Sequence, residues 1–374
     1  MPALPAIAAA AVIGSIGINT HLDFNAYGYQ NRGVVAEAIR YLGVKNLRDS
    51  AGNPSCVAIW PQVARATGAE FDDFIGETSP AGMATQLALM PQLAREGVLN
   101  AIEGGNEEDD AYPKSLGNSL RYTAQFQQRV YAMGRSLGLP VINMSFGSGW
   151  TAANDWHGDY DKVGDLSGYV TYANAHIYPI DGQKTGATIR RLNGDARLAA
   201  AGRPVIATEI GWNTGGRGPA VRGVVQAVLD GIKDGDARMY FYALFDDMSG
   251  RYGLMNADGS PRPAGEALHD LTTLLADRGG GFTPGSLRYS LSSTVAGDDT
   301  LLMQKSDGSF WLALWNEGAA SHAVTVTLAE AAPRIAVFDP VTGTSPVSHA
   351  ADTRHVTVEL ANDPLLIEVV PRRP

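Results

Sequence analysis

The chain has 374 residues, a formal net charge of −10, 45% hydrophobic and 18% charged residues, and one cysteine, Cys56. The excess of acid, with no cluster of lysine and arginine, argues against nucleic acid as a partner. A single cysteine rules out an internal disulfide framework and a cysteine-built metal centre, and leaves Cys56 as a small core residue.

The first thirteen residues are apolar but lack a basic start and are too short to span a bilayer. They suit a trimmed export signal or a lead-in to the first strand. Ile16–Asn19 is expected as that strand, followed by a polar loop with His21, Asp23, Tyr27 and Tyr29. Val34–Leu42 has helical spacing and Gly43 stops it. Strands are then expected over Val44–Arg48, Ala69–Ile75, Val98–Glu103, Pro140–Met144, within Tyr169–Tyr178, and over Val205–Glu209 and Arg238–Phe245. Helices alternate with them over Val57–Thr67, Ala81–Arg95, Asn118–Leu137, Thr185–Ala201, Ala220–Lys233 and Gly265–Ala276. About eight such alternations make a closed parallel (β/α)8 TIM barrel of roughly 250 residues. The loop Ser145–Leu166, holding Trp150, Trp156 and His157, is long for a compact domain, and such loops are usually functional or mobile.

Past Asp277 the run RGGGFTPGS reads as a linker. Short stretches of alternating apolar and polar residues follow, separated by turn signals such as SDGS and PVTG. The expected organisation is a barrel over 1–277 and a C-terminal antiparallel β-sandwich over 286–374, with Trp311 and Trp315 in the sandwich core.

Two stretches organise the barrel. AIEGGNEEDD (Ala101–Asp110) and PVIATEIGWN (Pro204–Asn213) are apolar runs that end in glutamate where the chain turns polar. Side chains at the carboxyl ends of parallel barrel strands converge on one mouth, so Glu107 and Glu209 can face each other across a pocket. Two facing carboxyl groups are what cleavage of a glycosidic bond requires. Glu103, Glu108 and Asp109 compete with Glu107; Glu103 lies within the strand, Glu108 points elsewhere if a helical turn begins there, and Asp109 is shorter and further from the strand end. A carboxylate inside a barrel mouth is costly unless used or paired.

The order of these motifs is similar to that of the clan A retaining glycoside hydrolases. Asn106-Glu107 ends the fourth strand, His176-x-Tyr178 the sixth and Thr208–Trp212 (TEIGW) the seventh, and Tyr252–Leu268 (YGLMNADGSPRPAGEAL) closes the barrel. The opening IGINTHLDF…YLGVKNLRDS, with Arg48 ending strand two, belongs to the same pattern. The small domain resembles the accessory sandwich of family 39 and family 30 members. The resemblance implies Glu107 as acid/base, Glu209 as nucleophile, Asn106 as partner of the sugar 2-hydroxyl, and Arg48, His176 and Tyr178 as orienting residues. Many members end strand eight in a tryptophan that carries the sugar. Here the segment reads Ala243-Leu-Phe-Asp-Asp, which leaves Phe245 as the substitute. His21 is a further candidate at the end of strand one.

Trp212 and Trp150 are expected to stack on sugar, since aromatic rings offer large apolar contact at few torsions; a tryptophan in a long loop is as often its own packing anchor. No H-E-x-x-H, paired H-x-H, phosphate-loop or nucleophile-elbow pattern occurs, so neither metal nor cofactor is expected. The sequence reading is therefore a soluble, secreted or periplasmic retaining glycosidase acting on a β-linked oligo- or polysaccharide, without a membrane span. A catalytically silent carbohydrate-binding protein on the same scaffold is the alternative. The sugar, endo or exo cleavage and the oligomeric state are not legible.

Overall fold

The computed structural model describes all residues except 78, 108–119, 148–157, 181, 278, 319 and 373–374. The chain begins with two short strands, β1 (Ala3–Pro5) and β2 (Ile7–Ala8), and a helix, α1 (Ala9–Gly14). Strand and helix then alternate: β3 (Ile16–Asn19), α2 (Arg32–Leu42), β4 (Asn46–Asp49), α3 (Cys56–Thr67), β5 (Glu70–Ile75), α4 (Pro80–Arg95), β6 (Leu99–Gly105) and α5 (Leu120–Leu137). The second half runs β7 (Val141–Ile142), β8 (Ala173–Ile177), α6 (Thr185–Ala199), β9 (Val205–Ile210), α7 (Pro219–Asp234), β10 (Arg238–Phe241) and α8 (Pro263–Leu275).

These eight strands pair in parallel in the order β7-β6-β5-β4-β3-β10-β9-β8, and a parallel bridge between Ile142 and Tyr172 completes the ring. This is the expected TIM barrel. Its strands are buried on both faces, so they read as nearly continuous apolar runs rather than alternating ones. Outward residues such as Leu47, Phe71, Met239 and Phe241 join the helices in one large core. Inward residues Ala101, Ile142, Ile206 and Tyr240 form a separate plug on the barrel axis. The Tyr240 ring fills that axis because Gly17 faces it; a Cβ on Gly17 would lie 2.3 Å from the ring.

The C-terminal strands are β11 (Ser286–Ser292), β12 (Asp298–Gln304), β13 (Phe310–Asn316), β14 (His322–Phe338), β15 (Pro346–Leu360) and β16 (Leu365–Val370). Their order is β11-β14-β16-β13-β12, with β15 also on β14. The expected strands Ala323–Leu328 and Arg334–Phe338 are one long strand. Its register against β15 shifts between Thr327 and Ala332, and it pairs with β11 before that shift and with β16 after it. One strand thus serves both layers of the sandwich.

The first residues do more than lead in. β1 pairs antiparallel with β11 and β2 pairs parallel with β12, so the chain's start adds two strands to the C-terminal sheet. Trp311 and Trp315 also lie elsewhere than expected. Leu312 and Leu314 fill the sandwich core, while Trp311, Ala313 and Trp315 on the opposite face of β13 pack with the barrel's core. Among the described residues no helix is long and apolar enough to cross a membrane.

Candidate active site

Alternation along the barrel strands turns one residue in two toward the axis, and at the carboxyl ends those inward residues are polar. Arg48 of β4 is the first. It is 0% exposed, and all three of its nitrogens are engaged. Nε and Nη2 donate to the two oxygens of Glu103 (2.7 and 2.8 Å), Nη1 donates to Asn19 (2.9 Å) and Glu209 (2.7 Å), and Nη2 also reaches Asn106 (2.7 Å). Its guanidinium lies 4.0 Å from the centroid of the Phe74 ring. Burial alone would depress the Arg48 pKa, but Glu103 and Glu209 more than offset this and push it above the ordinary arginine value.

Glu209 is the next-to-last residue of β9 and is 6% exposed. Arg48 donates to one of its oxygens and the Tyr178 hydroxyl to the other. Burial, then the Glu209 charge, hold the Tyr178 hydroxyl well above its usual pKa, so it stays a donor. Across the mouth Glu107 follows β6 in a left-handed conformation, φ 47°, uncommon for a residue with a side chain. Ser145 holds it there by accepting its backbone N–H at 3.0 Å. Gly147 leaves room for its carboxyl: a Cβ at that position would come within 2.9 Å of Cδ.

His176 of β8 lies between the two acids, with Nδ1 2.8 Å from Glu107 and 3.4 Å from Glu209. Its Nε2 is 3.1 Å from the Thr208 hydroxyl, which donates to Asn174 at 2.6 Å. Burial works against a charged imidazole here, but the carboxylates of Glu209 and Glu107 prevail and raise its pKa above 6.5. One oxygen each from Glu107 and Glu209 and a nitrogen of His176 fall within 4.8 Å of one another. By spacing alone this trio could hold a cation. The Glu209 oxygens already face Arg48 and Tyr178, however, and a guanidinium against the carboxylate disfavours a second positive charge.

Arg48, Asn106, Glu107, His176, Tyr178 and Glu209 therefore converge. His21 stands one ring further out. Its Nε2 is 2.9 Å from Asp247 and 3.2 Å from the Tyr242 hydroxyl, and the Tyr242 ring is 6.3 Å from that of Tyr178.

Three expectations need correction or fall outside the description. Phe245 is not a sugar platform: it is 0% exposed, with its ring 5.0 Å from that of Tyr29. Alternation from the inward Tyr240 places Tyr242 at the mouth instead, a residue the sequence reading missed. Trp212 does not face the cleft either. It is 7% exposed, with its ring against α7 where a Cβ on Gly223 would come within 2.5 Å. Its remaining edge lines a hollow between barrel and sandwich with Gln183, Arg222 and Asn362. Trp150, like Trp156, His157, Glu108 and Asp109, lies outside the described residues. Glu103, weighed above only as a rival acid, is the forked partner of Arg48 and also accepts from Asn174 at 2.8 Å.

No family model and no curated protein matches the sequence. Solved structures do match over nearly its whole length. A family 39 glycoside hydrolase from the gut symbiont Bacteroides cellulosilyticus WH2 aligns with a TM-score of 0.64 at 15% identity, over 98% of this chain and 83% of that one. A family 39 β-xylosidase from Caulobacter crescentus gives 0.63 at 14%, over 99% and 98%. A family 30 endoxylanase from Clostridium papyrosolvens C71 gives 0.60 at 11%, over 99% and 98%. The chain thus has the barrel-plus-sandwich fold of family 39 and family 30 glycoside hydrolases.

Proposed function

We propose that the protein is a retaining glycosidase acting on an oligo- or polysaccharide, with Glu209 as nucleophile and Glu107 as acid/base. The observation that carries this reading is that one oxygen of Glu107 and one of Glu209 lie within 4.8 Å of each other on either side of His176. Retention takes two carboxyl groups about 5–5.5 Å apart, whereas inversion needs about 6.5–9.5 Å to admit a water between them.

In the first step a Glu209 oxygen bonds to the anomeric carbon, the bond from that carbon to the leaving oxygen breaks, and Glu107 gives that oxygen its proton. In the second step water attacks the anomeric carbon, Glu107 takes the water's proton, and the ester to Glu209 breaks. Arg48 and Tyr178 fix the attacking carboxylate by charge-assisted hydrogen bonds. Asn106, with its oxygen accepting from Arg48, offers its amide N–H to a sugar hydroxyl beside the nucleophile.

Release of 4-nitrophenol from a panel of aryl β-glycosides tests the reading. Glu209→Gln is expected to abolish release. Glu107→Gln is expected to slow hydrolysis of substrates with poor leaving groups about 10²–10⁴-fold, and of aryl glycosides far less, because a good leaving group needs no proton. A wild-type protein silent on every sugar would instead favour the carbohydrate-binding alternative.

A further inference from the structure

The loop after β3 and the loop after β10 form one wall of the mouth. His21 pairs with Asp247 across them, and the Tyr29 hydroxyl accepts the Phe245 N–H at 3.3 Å. Tyr29 is fully buried and anchors the first loop, which is closed further by bonds from Phe24 N–H to His21, Tyr29 N–H to Ala26 and Asn31 N–H to Gly28. So fixed, the loop leaves Tyr27 43% exposed at φ 60°, in the left-handed region that a side chain disfavours. Backbone held in such a conformation by its surroundings clusters at active and ligand-binding sites.

The rings form a continuous series. Tyr178, which donates to Glu209, is 6.3 Å from Tyr242; Tyr242 is 5.7 Å from His21; His21 stacks on Phe24 at 4.7 Å and 10°; and Phe24 is 6.3 Å from Tyr27. Met248, 75% exposed, belongs to the same pair of loops. The series starts at Glu209 and leads outward to solvent.

Barrel order gives it a direction. β3 and β10 are adjacent, while β6, which Glu107 follows, lies four strands from β10 either way round the ring. The acid that protonates the leaving oxygen marks the side on which the leaving group lies. The aromatic wall follows strands across the ring from it, the side left for the retained sugar.

Resting on the glycosidase reading, we infer that Phe24 and Tyr27 bind a second sugar unit on the retained side. The substrate is then a chain with at least one residue beyond the sugar attached to Glu209, and single terminal units are cleaved more slowly. Binding energy from that remote unit would be expressed at the reacting carbon, raising kcat as well as lowering KM.

The test compares 4-nitrophenyl β-xyloside and β-glucoside with 4-nitrophenyl β-xylobioside and β-cellobioside. The disaccharide of the accepted sugar is expected to exceed its monosaccharide in kcat/KM at least about tenfold, the worth of one good aromatic contact. Phe24→Ala and Tyr27→Gly should each lower that ratio about tenfold, and Tyr27→Trp should keep it. Glycine at position 27 adopts the left-handed backbone without cost, so loss through misfolding is not expected there. Calorimetric binding of xylobiose and cellobiose to Glu209→Gln, with and without Tyr27→Gly, reads the wall without turnover. A ratio near one in the wild type, or a ratio and a disaccharide affinity untouched by both substitutions, would overturn the inference while leaving the hydrolase reading intact. Turnover of no glycoside at all would sink both.

Discussion

Two groups of buried carboxylates in this molecule are stabilised in opposite ways. Beneath the mouth, Glu103 and Glu209 share the guanidinium of Arg48. At the seam between barrel and sandwich, Asp230 of α7 faces Glu317, which follows β13, beside Trp315. Glu317 accepts the Gly186 N–H in the first turn of α6 at 3.0 and 3.2 Å, and Trp315 donates to Asp230 at 3.1 Å. No described salt bridge neutralises Asp230. Burial, then the neighbouring Glu317, push its carboxyl up to about 8, so at neutral pH it holds a proton. A fixed cation lies against the first group. In the second, Asp230 has no such cation and holds a proton, so stability depends on pH through it.

The largest effect should come from removing the cation. Arg48→Met leaves Glu103 and Glu209 buried without their partner, and is expected to cost about 3–5 kcal/mol in urea unfolding, together with glycosidase activity. Adding Glu103→Gln should restore part of that stability, because it removes one stranded charge, and should restore no activity. Equal stability of the single and double variants would mean that Glu103 does not depend on Arg48 for its charge.

How much of this was legible in the sequence follows from the same contrast. Inward residues at strand ends were readable because apolar runs ending in polar residues mark the mouth, and Arg48, Glu107, His176, Tyr178 and Glu209 all came to one place. The role of Glu103 was hidden because it depends on which interior positions of β4 and β6 meet across the barrel, and a single strand's pattern does not encode that. Tyr242 was recoverable by alternation from Tyr240; the expected strand was drawn to Phe245, past the point where the inward phase is lost. The seam was harder still. FWLALWN in β13 is apolar on both faces, so periodicity cannot say which face meets the barrel, and the pairing of residues 3–8 with the last domain is remote in sequence.

The second effect sharpens the comparison at the seam. Because the Asp230 carboxyl titrates higher in the folded state than the ordinary 3.8, its contribution to stability is complete below about pH 4 and is lost as pH rises through about 8. The charged groups around it are Glu317, Asp299, Lys184 and Arg190. Asp236, also pushed up to about 8, and Asp49 and Asp73, up to about 7, add to the same window, so the variant must be compared with wild type. Asp230→Asn should lessen the decline between pH 5 and 9 by on the order of 1–3 kcal/mol, measured by urea unfolding at each pH. Parallel curves for the two proteins would show that no proton is held there.

The smallest effect concerns an acid in the first group that behaves like the second. Asp72 of β5 is fully buried beside Glu103, with no salt bridge of its own among the described residues. Burial, then the Glu103 charge, raise its carboxyl well above 3.8 despite Arg48 and Arg238. Arg48 is already committed to Glu103, Glu209, Asn19 and Asn106, so the surroundings of Asp72 favour its protonated form. Asp72→Asn then exchanges one neutral group for another of the same shape, and is expected to change stability at pH 6 by less than about 1 kcal/mol. Toward alkaline pH the variant should become the more stable of the two, because the wild type must either ionise a buried acid or hold its proton against rising pH. A loss of several kcal/mol at pH 6 would instead mean that Asp72 is an ionised partner of Arg48, making the barrel group charged throughout.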